Sequence, residues 1–111
     1  MSPANLDNAR PDLAVAINSL WERFMPEMRR RAAIVETATS ALALGSLSSA
    51  QKQEAASAAH KLAGVLGTFN LEHGTEVARR LEVLFSDAEC PDPTSALQLA
   101  EHLRSIIESR K

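Results

Sequence analysis

Apolar residues recur every three to four positions along most of the chain, the spacing that lines one face of an α-helix. Leu13, Ile17, Leu20, Trp21 and Phe24 predict a first helix over about Asp12–Phe24. Pro11 suits its first turn, where a missing N–H is no loss. Pro26 is expected to end or kink it, because proline removes a donor and clashes with the preceding turn. A second helix is predicted from Pro26 to about Leu44, with Met28, Ala32, Val35, Ala38 and Leu42 inward and Gly45 as its stop. Residues 1–10 carry little pattern and read as a flexible N-terminal arm.

Ser48 or Ser49 can cap a third helix that runs through Phe69. Asn70 tolerates the left-handed conformation of a tight turn. A fourth helix follows, with Leu71, Val77, Ala78, Leu81, Leu84 and Phe85 inward, so these two helices form an antiparallel hairpin. After a loop over Ser86–Pro93, Asp92 as cap and Pro93 at the first position open a last helix. It carries Leu97, Ala100, Leu103, Ile106 and Ile107. The predicted fold is all-α, an antiparallel up-down four-helix bundle over residues 11–111. The short additional N-terminal helix closes one end through Trp21 and Phe24.

Composition narrows the function. The chain has 111 residues, enough for one domain with a modest core. Its net charge of −2 shows no basic excess, which argues against nucleic acid as a partner. Arg29, Arg30 and Arg31 read as a solvated helix face. No apolar run approaches the ~20 residues of a membrane span, and Met1–Asp7 shows no signal-peptide pattern. The single cysteine, Cys90, sits in the Pro-rich loop, excludes an internal disulfide and fits a reducing, cytoplasmic setting. No spare apolar face is evident, so a monomer is expected.

The chemistry concentrates at His60. At about 100° per residue, Gly64 lies about 40° from it and Gly67 about 20° to the other side. Ala56 shares that face, whereas Ala55, Ala58, Ala59, Leu62, Val65, Leu66 and Phe69 gather opposite. Each mid-helix glycine costs roughly 1 kcal/mol against alanine, so two beside one histidine imply that something approaches the backbone closely there. Ser57 lies one turn before His60, but no orienting acid or oxyanion hole accompanies the pair, which is weak support for hydrolysis. A neutral imidazole, with an ordinary pKa of about 6.5, is a good nucleophile near neutrality. A lone exposed histidine suits accepting a phosphoryl group from a partner that brings the catalytic machinery. No nucleotide-binding motif is present, so autokinase activity is not expected. His60, His73 and His102 offer no metal-ligand spacing around His60, so no metal site is expected and His73 and His102 read as surface or boundary residues.

Ala59-His60-Lys61-Leu62-Ala63-Gly64, then Leu66-Gly67-Thr68-Phe69-Asn70-Leu71 and Ala78-Arg79-Arg80-Leu81-Glu82, resemble a bacterial histidine phosphotransfer (HPt) domain. The resemblance is strongest over about residues 56–85. It implies a four-helix bundle with His60 as an exposed phosphoacceptor reacting through Nε2, and Gly64 leaving room for the phosphoryl group. It implies exchange with the aspartate of response-regulator receiver domains, upstream supply from a sensor histidine kinase, and Mg²⁺ on the receiver, with no cofactor on this chain. Lys61, Gly64, Gly67, Gln53, Ala56 and Ser57 are the expected contact residues, with Lys52 on the polar rim. One departure is Ala63, where many members carry Lys or Arg; Lys61, Arg79 or Arg80 could replace it. That departure leaves a non-relaying HPt-like interaction module as the alternative.

Overall fold

A computed structural model describes residues 3–87 and 92–110, with side chains from residue 12 onward. Four helices follow in chain order: α1 Pro3–Ala43, α2 Ser49–Thr68, α3 Glu72–Ser86 and α4 Pro93–Ser109. No strand occurs among the described residues.

The break expected at Pro26 does not occur, so there is no separate N-terminal helix. α1 runs unbroken through the proline. Trp21, Met25, Met28, Ala32, Val35, Thr39 and Leu42 follow one another in alternating steps of four and three. Their stripe stays in phase across Pro26, and all but the half-buried Met25 are buried. A break would have turned Trp21 or Met28 out of the core. Burying those large side chains offsets the ~3 kcal/mol that a mid-helix proline costs. Of the arm expected over 1–10, residues 1–2 lie outside the described residues and 3–10 continue α1 as helical backbone.

A second correction concerns the inward face of the early part of α1. Of Leu13, Ile17, Leu20, Trp21 and Phe24, only Trp21 is buried; Leu13 is 60% exposed. The cause is length. A 41-residue helix spans about 61 Å, roughly twice α2, and no described helix lies opposite its first half. This is a spare apolar face that the sequence pattern alone did not reveal. Leu97 is also exposed, because Ala96, Ala100, Leu103 and Ile107 form the inward stripe of α4.

The turns follow from their residues. Gly45, at φ 71°, ends α1 with Gly45 N–H donating to Leu42 O and Ser46 N–H to Ala41 O. Asn70, at φ 60°, repeats the pattern after α2, through Asn70 N–H to Gly67 O and Leu71 N–H to Leu66 O. Ser48 and Gln51 form a reciprocal capping box at the start of α2. Asp92 caps α4, with Pro93 in its first turn.

Contacts between α2 and α3 descend one helix as they ascend the other. Lys52 meets Asp87, His60 meets Glu82, and the Ala63 carbonyl accepts from Thr75. Between α1 and α4, Arg29 pairs with Glu108 and Glu36 with Arg104. The core joins Met28 and Val35 of α1 to Leu62, Leu66, Leu81, Phe85, Leu103 and Ile107. Gly74 is buried where a Cβ would stand 3.1 Å from both Leu66 Cδ1 and Ile106 Cγ2. Trp21 and Phe24 do close one end, packing edge-on against Phe69 at ring separations of 5.0 and 6.1 Å. The Arg110 guanidinium lies over Trp21 at 4.8 Å.

Candidate functional site

α2 reaches α3 through small residues. Ala55, Ala58, Ala59 and Ala63 are all buried, with Leu62 and Leu66 anchoring the same side. Residues on the far side of the helix are thereby held in solvent. His60 is among them, its side chain 73% exposed.

The imidazole is nevertheless oriented. His60 Nδ1 lies 2.9 Å from Glu82 Oε2 on α3. A carboxylate only accepts hydrogen bonds, so Nδ1 must be the donor. In the neutral ring that leaves the lone pair on Nε2. The Glu82 carboxylate is itself about two-thirds shielded from solvent.

Beside the ring is a recess of about 300 Å³ lined by His60, Ala63, Gly64, Arg79, Glu82 and Val83. Nothing lies within 4 Å of where a Gly64 Cβ would be, so the space beside the histidine is open. A family model for the Hpt domain matches residues 19–109. The chain belongs to the Hpt domain family. Hpt domains are phosphocarriers that perform histidine phosphotransfer in two-component signalling. No curated protein and no solved structure matches this Hpt domain.

The other expected contact residues separate into three groups. Gly64 shares the recess with His60, whereas Gly67 opens onto an adjoining groove with Thr75, Arg79, Arg80 and Val83. Gln53 and Ala56 line a different recess with Lys52, Phe85, Ser86 and Asp87, nearer the start of α2. Ser57 is exposed between the two and has no hydrogen bond to His60 among the described residues.

The basic candidates separate too. Ala63 is buried, and it lines the edge of the recess with no charged group to offer. Arg80 is engaged by Glu76 at 3.1 Å and lies outside the His60 recess. Lys61 is exposed and stands near α1. Glu27 there is held below the usual carboxylate range by its hydrogen bond to Arg30, then by the charges of Arg30, Arg31 and Lys61. Arg79 alone of the three lines the recess, and it makes no ion pair among the described residues.

Glu82 and Val83 were not assigned roles from the sequence of this Hpt domain. A usable signal exists: in a hairpin centred on Leu71, position 82 falls opposite position 60. His73 and His102 are exposed as expected, but they stand together, with Nε2 atoms 3.1 Å apart. No group of three or more metal-binding side chains occurs among the described residues. Cys90 lies outside them. Among them, no helix is long and apolar enough to cross a membrane.

Proposed function

We propose that this Hpt domain is a phosphorelay carrier in which His60 accepts a phosphoryl group from a receiver-domain aspartate and returns it to another. The observation that carries the reading is an exposed imidazole whose Nδ1 is engaged by Glu82, in a ring that shares an open recess with Gly64. The Nε2 lone pair attacks phosphorus, the N–P bond forms and the acyl P–O bond breaks. The aspartate leaves as carboxylate. The Nδ1 proton stays in place, and the ring becomes a phosphorylated imidazolium balanced by the Glu82 carboxylate. No proton has to leave Nε2, so the chain needs no general base. The reverse transfer follows the same path.

Arg79, which lines the recess, is the residue best placed to offset the added negative charge, and this supports the relay over the non-relaying alternative. The receiver of a response regulator supplies its aspartate and Mg²⁺, and a sensor histidine kinase feeds the relay from upstream. The opposed contact order of α2 with α3, and of α1 with α4, supports an antiparallel up-down bundle as the framework. The test is incubation with a phosphorylated receiver domain. Wild-type protein should acquire an acid-labile, base-stable phosphoryl group, and His60→Gln should acquire none while keeping its helical circular dichroism. Label on folded His60→Gln would refute the assignment.

A further inference from the structure

We propose that His73 and His102 form an open binding site for a divalent transition metal that favours imidazole, such as Zn²⁺, Ni²⁺ or Cu²⁺. The proposal is independent of the relay reading, because His73 lies nine residues before Glu82 on α3 and takes no part in the His60 recess.

The two rings come from facing helices, α3 and α4, and their Nε2 atoms are 3.1 Å apart. Two imidazoles bound to one ion at about 2.05 Å would hold these atoms about 2.9 Å apart at a right angle and about 3.3 Å apart at a tetrahedral one, and the observed separation falls between the two. As it stands the contact is a hydrogen bond with one ring donating, so a bound ion would take the place of that shared proton. A head-on N–H···N bond of the same length would put the centroids about 5.4 Å apart. Two rings converging on one ion would put them about 4.5 Å apart at a right angle and about 5.2 Å apart at a tetrahedral one. They stand 4.6 Å apart at 63°. The rings are therefore not aligned end to end, and their separation is near the right-angle value.

The Glu76 carboxylate lies on the Nδ1 side of His73, 4.0 Å away. That carboxylate also pairs with Arg80 and lies beyond hydrogen-bond distance of the ring, so it adds negative charge beside the site without fixing the ring. The His73 side chain is 64% exposed, so an ion reaches the site without opening the bundle. Two protein nitrogens leave the remaining positions to water. An oxygen-preferring ion such as Mg²⁺ gains nothing from such a site. A bound ion ties the first turn of α3 to the middle of α4 and stabilises the folded state by mass action.

The experiment is calorimetric titration of the full chain with Zn²⁺ and Ni²⁺, in a Cys90→Ser background that removes the one thiol. Saturable binding near one equivalent is expected, with a rise in Tm and no response to Mg²⁺. His73→Asn and His102→Asn should each weaken binding at least about tenfold, because loss of a ligand should cost no less than loss of a supporting partner. His60→Gln should leave binding unchanged. Absence of saturable binding, affinity unchanged from the parent protein in the His73 or His102 variant, or loss of binding in His60→Gln would overturn the proposal.

Discussion

Glu82 Oε2 lies 2.9 Å from His60 Nδ1, across the two helices that flank the Asn70 turn. In the proposed relay, this contact sets which ring nitrogen attacks phosphorus. Glu82→Ala should slow phosphoryl acceptance about tenfold by freeing both tautomer and ring orientation. Glu82→Gln keeps an acceptor but loses the charge, so its rate should fall between those of wild type and Glu82→Ala. Rapid-quench transfer from a phosphorylated receiver measures both, and rates equal to wild type would remove Glu82 from the mechanism.

Two glycines should respond to alanine in opposite ways. A methyl at Gly64 meets nothing, so Gly64→Ala should gain up to about 1 kcal/mol from helix propensity. The same methyl intrudes on the space a partner needs, so transfer should slow. At Gly74 the methyl presses on Leu66 and Ile106, and Leu66 is fully buried. Overpacking should outweigh propensity there, for a net loss of about 1 kcal/mol. Urea unfolding of both variants tests the pair.

Arg79 and Arg80 are neighbours in sequence but not in role. Arg79→Ala should slow transfer and shorten the lifetime of the phosphorylated state, whereas Arg80→Ala should behave as wild type within about twofold. Identical losses from the two substitutions would mean that only overall charge matters.

Acid should loosen the α1–α4 contact. Glu108 is held below its usual range by the hydrogen bond from Arg29, then by the charge of Arg29 and by Arg104. A carboxylate with a depressed folded-state pKa stabilises the fold above its ordinary value of 4.5 and loses that contribution as pH falls through the folded value. Tm should therefore hold between about pH 7 and 5 and decline below about 4.5. Glu108→Gln should blunt the decline. The contribution is under about 1 kcal/mol, because the pair is largely solvated.

Much of this protein is legible in its sequence because local signals agree. Gly45, Ser48, Asn70 and the Asp92-Pro93 pair fix the helix ends on their own chemistry. His60 is legible because two glycines depart from helix propensity beside it. Pro26 misleads, since proline is a local signal and the stripe from Trp21 to Leu42 is a longer one, and burial of the longer stripe decides the outcome. Leu13, Ile17 and Leu20 mislead for the converse reason. Their spacing predicts an apolar face, but only the lengths of the other helices reveal that nothing covers it. Glu82 and Arg79 become visible once the hairpin register is known, and the His73–His102 pair depends on a contact between helices that no single segment encodes.

Trp21 is the only tryptophan in a chain without tyrosine. It lies where α1, the turn after α2 and the end of α4 converge, under the Arg110 guanidinium. Its fluorescence is thus a native, label-free gauge of whether those three segments are together, placed well away from His60. Loosening of that end during unfolding can be followed by emission colour alone, while phosphoryl chemistry at the other site proceeds unperturbed by any dye.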